Sequence, residues 1–173
     1  WAGYGELIGS MVPPTDPYYE DLTQVWPYDP EKAKTLVDEA GISGEEFAFT
    51  VPNLPYAKAI SEIVSSQLEA VGLRARIETQ EFPAVWLDKT FTKHDYDMSV
   101  INHAEPRDLL TVFSSDYYTG YDDEKIKALA EKADTGTEEE YISGMKDIAR
   151  PHRRLPGSPH IGHRAQLFKQ PHP

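Results

Sequence analysis

An α/β fold, in three layers around a βαβ unit, is what this sequence predicts. Three observations carry that expectation. Residues 47–51 and 73–80 alternate over the length of a strand, a stretch with helical spacing lies between them, and amphipathic helices with recognisable ends flank the unit.

The elements follow in order. Residues 1–28 are rich in Gly, Pro and Tyr with no helical period, which predicts an irregular lead-in. Asp29 is then a helix N-cap whose carboxylate accepts first-turn amides. Pro30 suits the first helical position, Ala33, Leu36, Val37 and Ala40 form an apolar stripe, and Gly41 stops the helix. Phe47 to Val51 reads as a strand that Pro52-Asn-Leu-Pro55 breaks. Ile60, Ile63, Val64, Leu68 and Val71 recur at helical spacing up to Gly72. Leu73, Ala75, Ile77 and Thr79 alternate with Arg74, Arg76, Glu78 and Gln80, a second strand. Strand, helix and strand in that order predict parallel pairing with a right-handed crossover. Residues 81–92, with Val85, Trp86 and Leu87, read as a helix, and 95–101 as a third strand. A helix over 122–133 buries Ile126, Leu129, Ala130 and Ala133. Thr137-Glu-Glu-Glu140 has the form of a capping box and opens a last helix carrying Tyr141, Met145, Ile148 and Ala149.

Composition narrows the function. The chain has 17 Lys and Arg against 29 Asp and Glu, a formal charge of -12. All the acids precede Pro151, and 13 of the bases do, so residues 1–150 carry -16. Such a surface repels phosphate backbones, which argues against nucleic acid as a partner. With no cysteine, disulfides, thiolate metal sites and cysteine nucleophiles are excluded. No apolar run approaches the roughly 18 residues of a membrane span. The chain starts at Trp1 without an initiator Met, signal peptide or lipoprotein cysteine, and is expected to be a fragment of something longer.

Residues 151–173 differ from the rest. They hold four of the six histidines, five of the 14 prolines and no acid, without helix or strand period. Two readings fit: a genuine tail that binds metal weakly, or a reading frame that slips near Arg150. Pro/His/Arg-rich text is what off-frame GC-rich coding often gives.

Several segments together resemble a known family. Trp26-Pro-Tyr-Asp-Pro-Glu-Lys-Ala-Lys-Thr-Leu-Val-Asp-Glu-Ala-Gly41, then Gln67-Leu-Glu-Ala-Val-Gly-Leu73, Asp95-Tyr-Asp-Met98, Asn102-His-Ala-Glu-Pro-Arg-Asp108 and Tyr117-Tyr-Thr-Gly-Tyr121 stand in a specific succession. It resembles the C-terminal lobe of the bacterial extracellular solute-binding proteins of family 5, the peptide- and nickel-binding components of ABC importers. The resemblance implies one lobe of a type II periplasmic-binding-protein-like fold over residues 1–150, with the N-terminal lobe missing. It also implies a location outside the cytoplasm, in the periplasm or lipid-anchored at the cell surface. ABC permease subunits are the implied partners of a monomeric full-length protein.

The expected ligand site is the loop at 102–108, which follows the third strand; open α/β sheets bind ligands at the carboxyl ends of their strands. In peptide-binding relatives an aspartate near this loop holds the ligand's α-ammonium group. That role falls to Asp108, with Glu105 as second choice, and a charge-assisted hydrogen bond of this kind contributes about 1.5–3 kcal/mol. His103 is a further candidate contact, and Tyr117, Tyr118 and Tyr121 are candidates for the cleft wall. The family's tryptophan has no counterpart directly before the loop, where Asn102 and His103 stand. Alternatives stay open. Glu105 and Asp108 are also placed to cap turns around Pro106, Arg107 to pair with Asp108, and the tyrosines to pack in the core. Trp86 reads as core.

No catalytic residue, cofactor or resident metal is expected. His103, Glu105 and Asp108 are spaced closely enough for a metal-dependent hydrolase, but His-Glu-x-x-His, Gly-x-Ser-x-Gly and a phosphate-cradling glycine loop are all missing. An interaction domain without a small ligand is the other alternative.

Overall fold

A computed structural model describes residues 7–10, 12–25, 27–102, 109–112, 114, 116–120 and 123–149. These divide into two units, one formed by residues 28–102 and the other by 7–27 with 109–149. The Pro- and His-rich segment 151–173 lies outside the described residues.

The first unit holds the sheet. Helix α1 (Pro30–Ala40) forms as its ends dictate. The Asp29 carboxylate accepts from the Lys32 amide at 2.9 Å, and Gly41 closes the helix at φ 67°, in the left-handed region. Its apolar stripe is covered only in part. Val37, whose Cγ1 lies over the Gly72 turn, is buried, whereas Leu36 remains 53% exposed.

Strand β1 (Glu46–Pro52) pairs in parallel with β2 (Arg74–Gln80) on one edge and with β3 (Met98–Ser99) on the other, in the order β2-β1-β3. The βαβ unit is therefore as predicted. Its helix is α2 (Pro55–Ala70), which starts at Pro55 and carries the periodic residues from Ile60 to Leu68. That start selects the buried face: Ala57, Ile60, Ser61, Val64 and Leu68 turn toward the sheet, while Ile63 lies outside their arc and is 61% exposed. Phe49, Val51, Ala57 and Val100 form the cluster between sheet and helix, with Ala75 and Met98 packed against it.

Alternation sends the intervening residues to the opposite face. There the stretch 81–92 is helical but irregular: a cis peptide joins Phe82 and Pro83, a short α3 (Ala84–Trp86) follows, and Leu87–Thr92 continues as a π-helical turn. Three layers result in this unit, with the sheet in the middle.

Charged side chains join the sheet to this π turn. Arg76 Nε donates to Glu46 Oε1 at 2.9 Å and its guanidinium also pairs with Glu78, while Lys89 Nζ donates to the other Glu78 oxygen at 2.6 Å. The hydrogen bond from Lys89 is the main reason the Glu78 carboxyl is held below its ordinary 4.5. The same bond raises Lys89 above its ordinary 10.5.

The second unit is helical: α4 (Leu109–Val112), α5 (Glu124–Thr135) and α6 (Glu138–Ala149). Asp123 caps α5, accepting from the Lys125 amide at 2.8 Å. The predicted capping box is present on α6, where Glu140 Oε2 accepts from the Thr137 amide at 2.9 Å and the Glu140 amide donates to Thr137 Oγ1 at 3.3 Å. Val12, Tyr18, Leu109, Ile126, Met145, Ile148 and Ala149 form its core. Gly144 lets α6 approach α5: a Cβ there would stand 3.2 Å from the Ala133 Cβ and 3.4 Å from the Leu129 carbonyl.

Two outcomes are expected. Gly144→Leu should force the helices apart and cost about 1–3 kcal/mol. An unchanged urea midpoint would contradict that contact. The stability supplied by Glu78 should be present above pH 4.5 and fade as pH falls through its lowered folded value, whereas that supplied by Lys89 should fade only as pH rises through a folded value above 10.5. Urea midpoints of Glu78→Gln should therefore lie below those of the unsubstituted chain at pH 7 and converge with them as pH falls through that lowered value.

Candidate functional site at the carboxyl edge of the sheet

Parallel strands that start together also end together, so the carboxyl ends of β1, β2 and β3 define one edge of the sheet. At this edge Pro52 ends β1, and the Asn53 amide reaches across to the Gln80 carbonyl at 2.7 Å. Pro55 opens α2 directly above the strand end. On the other side of β1, the chain leaves β3 through Val100 and Ile101 to Asn102, where the candidate ligand loop begins.

Two polar ties fix this exit. Behind it, Met98 and Val100 point toward α2, so Ser99 points away from α2 and meets Trp86. Trp86 Nε1 donates to Ser99 Oγ at 3.2 Å, and Ser99 Oγ donates to the Thr50 carbonyl of β1 at 2.7 Å. All three residues are buried, and Trp86 is a core residue as expected. Asp97 adds a rung, its carboxylate accepting from the Ala48 amide at 2.7 Å. In front of the exit, the Asn102 amide donates to the Tyr56 hydroxyl at 3.0 Å, and the Tyr56 ring packs against the cluster under α2.

Of the predicted site residues, His103, Glu105 and Asp108 lie outside the described residues. Tyr117 and Tyr118 belong to the helical unit. Their rings contact each other, with centroids 4.7 Å apart and planes at 44°. Tyr118 is buried and Tyr117 half-buried, so Tyr118 has a packing role within its own unit. Tyr121 lies outside the described residues. The sequence reading missed Tyr56. Its distance of 46 residues from Asn102 leaves no local signal, and the proline at the start of α2 was the only hint that the helix began there.

Among the described residues, no group of three or more His, Asp or Glu side chains is arranged to hold a metal ion. No described helix is long and apolar enough to cross a membrane. A shallow depression lined by Thr137, Glu138, Glu139, Ile142, Ser143 and Lys146 lies along the first turns of α6.

Known proteins share this arrangement. The family described as bacterial extracellular solute-binding proteins, family 5, middle, matches residues 1–125, well over half of the 173. The chain belongs to this family. Among curated family 5 relatives, the dipeptide-binding protein of Escherichia coli (strain K12) is 36% identical over 88 residues, covering 47% of this chain and 16% of that protein. The glutathione-binding protein GsiB of Salmonella typhimurium (strain LT2) is 34% identical over 84 residues, with the same coverage. The chain thus matches only 16% of the length of these relatives. Among solved structures, the substrate-binding protein CtaP from Listeria monocytogenes has a TM-score of 0.66 at 18% identity, covering 84% of this chain and 32% of that one. The binding protein DppA from Helicobacter pylori, in complex with the peptide STSA, has a TM-score of 0.60 at 18% identity, covering 81% and 30%. These likenesses establish the periplasmic-binding-protein class of α/β fold.

The Ser99 tie generates an expectation. Ser99→Ala leaves the buried Trp86 N–H without its acceptor, at a cost of about 1–3 kcal/mol. Equilibrium urea unfolding followed by far-UV circular dichroism should register that loss. A midpoint equal to that of the unsubstituted chain would mean that the hydroxyl is not what holds β3 to Trp86.

Proposed function

We propose that this chain is part of the C-terminal lobe of the substrate-binding component of an ABC importer, and that its ligand is a short peptide. The observation that carries this reading is the family match over residues 1–125, joined to a loop that starts at the carboxyl edge of a parallel sheet. Relatives named for dipeptides, di/tripeptides and glutathione support the peptide class. In this reading residues 1–150 form the lobe segment, the N-terminal lobe is supplied by the rest of a full-length protein, and 151–173 is an atypical tail.

The role is binding without turnover. Asp108 receives the α-ammonium group of the peptide, with Glu105 as the second carboxylate. His103 and Tyr117 offer further contacts, and Tyr118 supports Tyr117 from within. A carboxylate facing a fixed cation in a partly dry cleft is strengthened by the lower local dielectric. The full-length protein works outside the cytoplasm, in the periplasm or lipid-anchored at the cell surface. There it acts as a monomer that hands its ligand to the permease subunits.

Titration calorimetry of the full-length protein with Ala-Ala tests this. Asp108→Ala should weaken binding about 10- to 100-fold, the equivalent of one charge-assisted hydrogen bond. N-acetyl-Ala-Ala, which lacks the ammonium group, should bind both forms about equally. If Ala-Ala binds the Asp108→Ala protein as tightly as the unsubstituted one, Asp108 has no place in the site.

A further inference from the structure

We propose that the layer between the sheet and the π turn holds an internal water site, in which one water bridges the hydroxyls of Thr50 and Thr90. Register places Thr50 at the centre of a row across the sheet, paired with Glu78 of β2 on one side and Ser99 of β3 on the other. Phe49 and Val51 turn toward α2, so the side chains of that row turn to the opposite face, where α3 and the π turn lie. That layer grips the row at both ends. Lys89 Nζ donates to Glu78 at 2.6 Å, and Trp86 Nε1 donates to Ser99 Oγ at 3.2 Å. Thr90 follows Lys89 directly and stands about one helical turn after Trp86, so it shares the face that meets the sheet and lies over the middle of the row.

Thr50 and Thr90 are both 0% exposed, and among the described residues neither hydroxyl has a hydrogen-bond partner. They do not bond to each other. A buried hydroxyl left without a partner is costly, so two of them in one layer call for a molecule that serves both. Water fits that demand. Each threonine hydroxyl both donates and accepts, and a buried water is held by about two to four polar partners. A cation fits badly, because the Glu78 carboxylate is already engaged by Arg76 and Lys89, leaving two neutral oxygens to replace a hydration shell. The bridge ties the π turn to the central strand β1, beside the ties that Lys89 makes to β2 and Trp86 to β3.

A crystal structure of the full chain tests this without any substitution. A water oxygen about 2.5–3.0 Å from both Oγ1 atoms is the expected result. Thr50→Val and Thr90→Val keep the side-chain shape and remove one hydroxyl each. In equilibrium urea unfolding, either single variant should raise the unfolding constant about threefold to tenfold, since the other hydroxyl loses its bridge. The double variant should lose no more than the worse single one, because neither hydroxyl is then left to satisfy. A layer without water, a direct bond between the two hydroxyls, or single variants at least as stable as the unsubstituted chain overturns the proposal.

Discussion

Strand β1, paired on both edges, buries its last four residues, and it does so under two unlike coverings. Toward α2 it presents Phe49 and Val51 to an apolar cluster. On its other face the covering is polar: the Thr50 carbonyl receives the Ser99 hydroxyl, which in turn satisfies the Trp86 indole N–H. The apolar face needs only volume and shape. On the polar face an unpaired buried group costs more than the bond returns, and the relay spares the indole N–H and the Thr50 carbonyl that cost, although the buried Thr50 Oγ1 has no hydrogen-bond partner among the described residues. That hydroxyl relay ties β3 to the α3 region, beside the β1–β3 pairing, the Asp97 rung and the Tyr56 bond to the Asn102 amide.

Where the fold was legible in advance, the signals were local. The caps at Asp29, Gly41 and Thr137 act within one helical turn, and each is present as its residues imply. Parallel pairing of β1 and β2 followed from the strand–helix–strand order, which leaves few alternatives. The errors came where tertiary partners decide. Helical periodicity counts only apolar residues, Ile63 among them, whereas the buried arc of α2 includes Ser61, whose hydroxyl is satisfied by the Lys58 carbonyl at 2.9 Å. The third strand shrank from 95–101 to Met98–Ser99 because the ladder beside it is completed by the Asp97 side chain as well as by backbone. Nothing in residues 87–92 marks a π turn, since that geometry reflects how Lys89 and Trp86 are held by the sheet.

The candidate site divides along the same line. The sequence reading took its place from topology, which puts a loop at the carboxyl edge of a parallel strand. Its supports were not readable in advance. Tyr56 and Asn102 are separated by a whole helix and a strand, and a phenol ring at the start of a helix gives no sign of the amide it will meet. Tyr118 shows the converse, since an aromatic run that suggested a cleft wall places one of its rings in the interior.

Strand β2 forms one margin of the described sheet, and its outward text is charged. Arg74 and Arg76 stand near its start, and Arg76 is already engaged by Glu46 and Glu78. A second strand adding itself to this margin would bring its side chains beside Arg74 and Arg76. Sheet margins armoured in this way resist the strand-by-strand growth that leads to fibrils. The residues whose ion pairs steady the π turn therefore also leave that margin charged beside the half-exposed Ile77.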